Sequence, residues 1–276
     1  MPTKLVCIVN DGIKPDSSLH SEHGLSLWIQ TDFGIVLFDT GQTAAVLSDN
    51  LEALGLNAGD VDNLAFSHAH NDHTGGLEAM MAIQKSIPLY ANADLFTERF
   101  SLRNNEYREI GLKHSKQDLS QYFSLYLDDM PQEIYPNLWT TGKILIRPEM
   151  IGGSAHHFIK TDTGWQPDPY RDDMSLVIKT ENGLALICGC CHAGLLNTLQ
   201  HVEKIFQDKV FCVIGGTHLI AANDEELEHV INIIRQQYAN CRFYLNHCTG
   251  ANAIKKMKAM LTNQVEDFLP GDWITL

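Results

Sequence analysis

The chain has 276 residues, of which 44% are hydrophobic and 20% are charged, as is typical of a globular protein. Its 34 acidic residues outnumber its 20 lysines and arginines, so the formal net charge is −14. This excess argues against nucleic acid or an anionic membrane as a partner, because both require a basic face. The length suffices for one large α/β domain or for two small ones.

The seven cysteines and the short apolar stretches bear on the cellular compartment. The cysteine count is odd, and the spacing suggests no disulfide framework. No stretch has the ~18–20 apolar residues of a membrane span, and the first residues lack the apolar run of a signal peptide. We therefore expect free thiols in the reducing cytoplasm.

Short strands alternate with helices along most of the chain. In the first part we predict strands over 4–10, 25–31, 34–40, 61–67 and 88–92, and helices over 42–55 and 74–86. Residues 95–135 are polar and helix-prone, and we predict that they form an inserted helical cap. Residues 136–173 read as strands and loops. The later part predicts strands over 175–180, 183–189, 210–216, 242–247 and 271–276, and helices over 194–207, 224–237 and 251–262.

This order predicts the fold class. The two parts of the chain have similar, ββαβ-like orders of elements, and a sheet must bury one face against another layer. We therefore predict an α/β (α+β) fold, a four-layer αββα sandwich, with a single domain over residues 1–276.

Five apolar strands are each followed by a residue that can act in catalysis or bind a metal. These residues are Asp39, the cluster that begins at His68, the run from Cys190 to His192, His218 and His247. In α/β architectures ligands bind beyond the carboxyl ends of strands. The shared position therefore predicts one common site.

The stretch "AFSHAHNDHTGGL", residues 65–77, carries the densest group of candidate ligands. In an extended segment His68, His70 and Asp72 lie on one side, because alternate residues point the same way. The turn into the next helix would direct His73 toward a second ion. Imidazole and carboxylate ligands suit zinc, manganese or iron, and His192 or His247 could complete each site.

The other histidines carry no such pattern. His156 and His157 read as loop residues rather than ligands. The rest are interpreted as surface residues, of which the last two fall within predicted helices: His20, His23, His114, His201 and His229.

The motif "SHAHNDHTGG" resembles the HxHxDH signature of the metallo-β-lactamase superfamily, and "VLFDTG" at 36–41 resembles the superfamily as well. The later segments "GCCHAGLLNTL", "VIGGTHL" and "NHCTGANA" resemble the subgroup named for 7,8-dihydropterin-6-methyl-4-(β-D-ribofuranosyl)aminobenzene-5′-phosphate synthase. The resemblance runs from about residue 4 to 260.

The resemblance implies an αββα fold with two divalent metal ions, zinc first and manganese or iron as alternatives. It implies one metal at His68, His70 and His192, and the other at Asp72, His73 and His247. It further implies that His218 contacts the substrate and that Asp39 supports the ligand loop.

One departure from the superfamily pattern concerns the bridging ligand. Many members have a G-H-T segment and later a G-D pair, whereas this chain has no G-H-T and reads Gly189–Cys190 at the G-D place. Cys190 could bridge the metals or lie beside them, and Asp172 or Asp173 could approach the site.

The expected reaction is hydrolysis of a small-molecule ester, lactone or phosphoester by a metal-bridging hydroxide. Asp72 would orient that hydroxide and accept its proton, and His218 would donate to the leaving group. The alternative is a pterin-methyl transferase that releases pyrophosphate. A third alternative is a non-enzymatic metal sensor or scaffold. A homo-oligomer is a further open expectation, and the substrate itself cannot be read from the chain.

The predicted cap supplies aromatic candidates, and the loops supply basic ones. Tyr107, Tyr122, Phe123 and Tyr126 could stack on a flat ring such as a pterin, although anchoring the cap to the core is the favoured interpretation. Arg147 and Arg171 are candidates for a phosphate site, with an ordinary solvated or salt-bridged role favoured.

Overall fold

Strands dominate the computed structural model, which describes residues 2–276. The strands are β1 Lys4–Val9, β2 Ser26–Gln30, β3 Ile35–Phe38, β4 Asn63–Ala65, β5 Ile87–Ala91, β6 Arg99–Arg103, β7 Glu106–Glu109, β8 Phe123–Leu127, β9 Glu133–Tyr135, β10 Leu138–Thr140, β11 His157–Thr161, β12 Gly164–Pro167, β13 Leu176–Thr180, β14 Gly183–Cys188, β15 Val210–Gly215, β16 Arg242–Leu245, β17 Val265–Asp267 and β18 Trp273–Thr275. The α-helices are α1 Ala44–Ala53, α2 Asn71–Thr74, α3 Leu77–Met81, α4 Lys116–Leu119, α5 Leu195–Phe206, α6 Asp224–Gln237 and α7 Ala251–Met260. Short 3-10 turns cover Ala58–Asp60 and His247–Thr249.

Two seven-stranded sheets form the centre of the fold. Their strand orders are β18-β1-β2-β3-β4-β5-β8 and β17-β16-β15-β14-β13-β10-β9. Alternate residues of each strand face opposite sides: Ala185 and Ile187 of β14 join the core between the sheets, whereas Leu184 and Leu186 join the core beneath α5 and α6. The first sheet likewise packs its outer face on α1 and α3. The predicted αββα sandwich is confirmed.

The predicted helical cap at 95–135 is wrong in its secondary structure. This segment forms four strands, β6 to β9, and a single four-residue helix, α4. β8 joins the first sheet parallel to β5, while β6 and β7 belong to a separate four-stranded sheet of order β12-β11-β6-β7. Hydrogen-bonded pairing with these partners outweighs the weak helical preference of polar residues. We refer to the four-stranded sheet as the inserted sheet.

The predicted helix over 74–86 also differs from the observed one. The helix α2 ends at Thr74, where the predicted helix begins, and after Gly75 and Gly76 the helix α3 covers only Leu77–Met81. A Cβ atom at Gly75 would lie 2.2 Å from the Gln42 carbonyl oxygen, and one at Gly76 would lie 2.1 Å from that of Thr40. The two glycines therefore allow the loop after β3 to pass directly against the start of the ligand-bearing segment.

Among residues 2–276, no helix is both long enough and apolar enough to cross a bilayer.

Candidate metal centre

The parallel strands of both sheets bring the predicted site residues together. β3, β4 and β5 are parallel, as are β14, β15 and β16, so the loops at their carboxyl ends meet at one edge of the sandwich. Gly189, directly after β14, lies so close to β4 that an added Cβ would be 2.0 Å from Ser67 Oγ. The two sheets thus meet at the site with no room for a side chain between them.

Two groups of side chains lie at this edge. The first ligand set is His68, His70 and His192, and the second ligand set is Asp72, His73, His247 and Cys190; within each set the candidate ligand atoms all lie within 4.8 Å of one another. All seven residues are buried. The division matches the two groups that the family resemblance implies, and it adds Cys190 to the second.

The spacing of the ring nitrogens fits a bound cation. His68 Nε2 lies 3.0 Å from His70 Nδ1, and His73 Nε2 lies 3.1 Å from His247 Nε2. His192 Nε2 is buried and has no hydrogen-bond partner among residues 2–276. Two unprotonated nitrogens at such distances repel each other unless a proton or a metal cation lies between them. A divalent ion that accepts nitrogen and oxygen ligands satisfies this arrangement.

Asp39 fixes the orientation of histidines in both sets. Its Oδ2 accepts a 2.7 Å hydrogen bond from His73 Nδ1, which leaves Nε2 of that ring free to bind an ion. The same carboxylate accepts the backbone N–H and the hydroxyl of Ser67, both at 2.7 Å. Ser67 Oγ in turn lies 2.8 Å from His68 Nδ1. Such outer partners set the tautomer and direction of a ligating imidazole.

Of the other three histidines, His192 and His247 each have an acceptor for the ring nitrogen that points away from the site, whereas His70 Nε2 is buried without a hydrogen-bond partner among residues 2–276. His192 Nδ1 donates to the carbonyl oxygen of Gly152, and His247 Nδ1 donates to Asp11 Oδ1 at 2.5 Å. A Cβ on Gly152 would lie 2.6 Å from the Cβ of His218, so this loop can approach the site only with glycine there. Both bonds direct the corresponding Nε2 into the site.

Burial keeps the first ligand set neutral. Burial lowers the pKa values of His68, His70 and His192 well below the ordinary histidine value, and neighbouring imidazoles lower them further. A neutral imidazole is the form that binds a metal.

Cys190 lies within the second ligand set. Its Sγ is 3.1 Å from His73 Nε2 and 3.3 Å from His247 Nε2. Burial raises the pKa of this thiol well above its ordinary value, so its thiolate form depends on a cation nearby.

Asp172 and Asp173 support the ligand loops rather than joining either ligand set. Asp172 Oδ2 accepts the backbone N–H of Ala69, between His68 and His70, at 2.7 Å. Asp173 accepts the backbone N–H groups of His192 and Ala193 at 2.9 and 2.8 Å. Burial raises the pKa of each carboxyl to about 6.

A cleft of about 420 Å³ opens onto both ligand sets. His218 lines it with its ring centroid 4.5 Å from that of His192, and His218 Nδ1 is buried without a hydrogen-bond partner among residues 2–276. Burial lowers the pKa of His218 to about 4. His218 therefore lies in the cleft wall beside the first ligand set, and its contact with a substrate stays a prediction.

The inserted sheet forms the opposite wall of the cleft. His157, Ser101 and Arg108 are paired across β11, β6 and β7, so their side chains share one face, and Arg103 lies two residues beyond Ser101. All four line the cleft. His157 therefore belongs to the cleft wall, with its ring centroid 5.0 Å from that of His70.

Arg147 and Arg171, the two candidates for a phosphate site, lie outside the cleft. Arg147 donates to the carbonyl oxygens of Ile144, Pro169 and Tyr170, which fixes a loop. Arg171 is exposed and does not line the cleft. Arg103 and Arg108 are the arginines that line the cleft, and their place on strands was hidden by the helical interpretation of this segment.

The predicted ring-stacking residues do not line the cleft either. Tyr107 stacks on Trp165 of β12 at 3.7 Å between centroids, Tyr126 stacks on Tyr90, and Phe123 is buried. Their packing agrees with the interpretation that they anchor this segment.

Three residues beside the ligand sets had no sequence signal, namely Asp11, His23 and Tyr170. His23, interpreted from sequence as a surface residue, lines the cleft and lies 3.2 Å from Asp72 Oδ2 through its Nε2. The ring of Tyr170 stacks on His192 at 4.2 Å between centroids.

The other histidines interpreted as surface residues lie outside both ligand sets, and His201 and His229 are in α5 and α6 as predicted.

Comparison with known sequences gives two kinds of match. The family model described as "Anti-Pycsar protein Apyc1" matches residues 24–258. The chain is 32% identical to the 7,8-dihydropterin-6-methyl-4-(β-D-ribofuranosyl)-aminobenzene-5′-phosphate synthase of Methanocaldococcus jannaschii, over 91% of this chain and 88% of that protein. It is 28% identical to the uncharacterized protein MJ0448 of the same organism, over 91% of each.

Solved structures share the fold. Tm1679, described as a metal-dependent hydrolase of the β-lactamase superfamily, superposes with a TM-score of 0.84 at 22% identity, over 99% of both chains. The metallo-β-lactamase fold protein YhfI of Bacillus subtilis gives a TM-score of 0.60 at 14% identity, over 100% of this chain and 99% of that one. The chain therefore has the metallo-β-lactamase fold, and it belongs to the family of the anti-Pycsar protein Apyc1 and the M. jannaschii synthase.

Proposed function

We propose that this protein is a hydrolase that holds two divalent metal ions, one at each ligand set, and cleaves a small-molecule phosphoester. The single observation that carries this proposal is the arrangement of the histidines. In four of the five histidines of the ligand sets, Nδ1 points away from the site and faces a hydrogen-bond acceptor. The other ring nitrogen, Nε2, is then available to bind an ion. A residue without a ligand role has no need for this orientation.

The donor sets favour zinc, with manganese or iron as alternatives. The first set offers three neutral imidazoles, and the second offers imidazole, carboxylate and a cysteine sulfur. The sulfur of Cys190 favours zinc or iron over manganese. Divalent ions at these sets would supply Lewis acidity and a water acidified toward neutral pH.

The side chains around the cleft have separate roles in this proposal. Asp72 would orient the attacking water and accept its proton on a carboxylate oxygen. His218 faces the cleft beside His192 and would donate a hydrogen bond to the oxyanion or the leaving group. Both assignments follow from position within the cleft.

A phosphoester is favoured over an uncharged ester or lactone because of the inserted sheet. Arg103 and Arg108 project from its cleft-facing side, opposite the ligand sets. Guanidinium groups match phosphate oxygens in geometry and charge. In an otherwise acidic protein, they would attract an anionic substrate into the cleft.

A second candidate function is a transferase that joins a pterin-methyl group to a phosphorylated aminobenzene and releases pyrophosphate. The identity of 32% to the M. jannaschii synthase favours it. The same arginines would then bind the phosphate of the acceptor.

The test is a substrate panel on metal-reconstituted protein: an aryl phosphodiester, a lactone, a thioester and a pterin pyrophosphate with and without an aminobenzene acceptor. Our proposal expects phosphodiester cleavage that consumes only water. Release of pyrophosphate only when the acceptor is present would support the transferase instead. Activity that survives in the double variant His70→Ala, Asp72→Ala would refute the assigned site.

We also propose a cytoplasmic location. All seven cysteines are free and buried, which fits a reducing compartment.

A further inference from the structure

His23 lies at the mouth of the cleft and contacts two carboxylates. Its Nδ1 is 2.8 Å from Asp11 Oδ2, and its Nε2 is 3.2 Å from Asp72 Oδ2. Its side chain is 62% exposed, in contrast to the buried histidines of the two ligand sets. Carboxylate oxygens accept hydrogen bonds and cannot donate them, so His23 Nδ1 is the donor in the bond with Asp11, while His23 Nε2 lies at ion-pair distance from Asp72.

Asp11 connects His23 to the second ligand set by another route. Its Oδ1 accepts the hydrogen bond from His247 Nδ1, while its Oδ2 faces His23. One carboxylate therefore orients two imidazoles. The side chains form a closed arrangement in which Asp11 holds His23 and His247, and both of these rings reach Asp72 Oδ2, at 3.2 and 3.4 Å.

The backbone around His23 is built against the same ligand. Gly24 has a φ of +142°, and a Cβ there would lie 2.2 Å from the Asp72 carbonyl oxygen. Leu25 N donates to that same oxygen at 3.2 Å, and Gly24 N donates to Asp11 Oδ1 at 3.2 Å. The chain thus brings His23 to Asp72 by close backbone contact, which glycine alone permits at position 24.

His23 is distinct from the ligands themselves. It belongs to neither ligand set; its candidate ligand atom lies within 4.8 Å of those of Asp11 and His247, and Asp11 and His23 are exposed whereas the two ligand sets are buried. The Nε2 of His23 nevertheless lies 3.2 Å from the one oxygen of Asp72 that faces His73 and His247. A donor in that position restrains the carboxylate without competing for the ion.

We propose that His23 is a positioning residue of the second ligand set: held by Asp11, it restrains the Asp72 carboxylate where this ligand meets the ion. This inference rests on the proposed function, because it requires an ion at each ligand set. It extends the site to the segment of residues 11–24, which no part of the metal-binding motif covers. We therefore expect a substitution of His23 to weaken metal binding at the second ligand set only, because His23 contacts no member of the first ligand set.

The experiment is a competitive zinc titration of the metal-free full chain with a colorimetric chelator, which gives one dissociation constant for each ion. The variants are His23→Ala, His23→Gln and the control His20→Ala. His20 lies three residues upstream, is exposed, and is 4.0 Å from Asp49. Thermal melting of each metal-free variant verifies folding, and His23→Gln serves if His23→Ala does not fold.

We expect His23→Ala to weaken only the second ion, by ~10–100-fold, as is found for outer partners of ligands. His23→Gln should be intermediate, because its amide can donate to only one of the two carboxylates, and His20→Ala should equal the unmodified protein. If the unmodified protein binds two ions and His23→Ala binds both unchanged, or weakens both equally, the inference is overturned. If the unmodified protein binds fewer than two ions, the proposed function itself fails.

Discussion

Arg99 and Asp172 form a buried ion pair, with Arg99 Nη2 2.8 Å from Asp172 Oδ1 and both side chains 1% exposed. Arg99 begins β6 of the inserted sheet, and Asp172 holds the backbone N–H of Ala69 between two candidate ligands. Arg99 also pairs with Asp168 at 3.3 Å. The inserted sheet is therefore joined directly to the loop that carries the first ligand set.

Replacement of Arg99 by methionine should destabilise the protein strongly. The variant leaves the carboxylates of Asp168 and Asp172 buried without their cation, which costs about 3–5 kcal/mol. Urea unfolding of the metal-free protein measures this loss. The control is Arg235→Met, on the exposed side of α6, which should change the free energy of unfolding by less than about 0.5 kcal/mol. An Arg99→Met variant as stable as the control would show that the pair contributes nothing.

Asp39→Asn should weaken metal binding at both ligand sets. An amide cannot accept from His73 Nδ1, from the Ser67 hydroxyl and from the Ser67 backbone N–H together, as the carboxylate does. We expect both zinc dissociation constants to rise by ~10–100-fold. This contrasts with the selective effect expected for His23. Asp49→Asn, at a side chain that is 60% exposed, is the matched control and should bind zinc normally.

Much of the site was predictable because its ligands are either close together in the sequence or placed directly after an apolar strand. His68, His70, Asp72 and His73 lie within six consecutive positions, and strand geometry alone places several of them on one side. His192 and His247 follow apolar strands, and parallel sheets bring such strand ends together. The sandwich itself followed from the alternation of strands and helices.

The residues that hydrogen-bond to the ligand sets from outside them were not predictable from the sequence, because their contacts depend on the complete fold. Asp11 and His247 are 236 positions apart, and Asp11 and His23 lie in a segment without helix or strand. The inserted sheet was missed for a related reason. Every residue of β7 is exposed, so its sequence does not show the alternation of apolar and polar residues that identifies a half-buried strand. Its pairing with β6 alone determines its structure.

Cys190→Ser tests whether sulfur belongs to the second ligand set. In the cobalt-substituted protein we expect a near-ultraviolet band from thiolate-to-cobalt charge transfer, which this variant should lose. Its second zinc dissociation constant should also rise, because a hydroxyl is a poorer zinc ligand than a thiolate. Cys241→Ser, at a buried cysteine whose Sγ faces the carbonyl oxygen of Arg242, should keep the band. If the Cys190 variant keeps it as well, sulfur is not a ligand.

The arginines of the inserted sheet should control activity toward anionic substrates. Arg103→Gln and Arg108→Gln each remove a charged donor from the cleft wall, worth about 1.5–3 kcal/mol when it binds an anion. We expect kcat/KM for an aryl phosphodiester to fall by roughly 10- to 100-fold in each variant. Activity toward a neutral ester should be unaffected. Arg171→Gln, outside the cleft, is the control, and equal losses on both substrates would contradict a role in anion binding.

The most direct test of the account is the metal content of the full chain, purified without chelator and measured by elemental analysis. Because the ligand atoms fall into two sets, the account predicts two divalent ions per chain, and one ion after His73→Ala removes a member of the second set. Fewer than two ions per chain, or unchanged content in that variant, would contradict it.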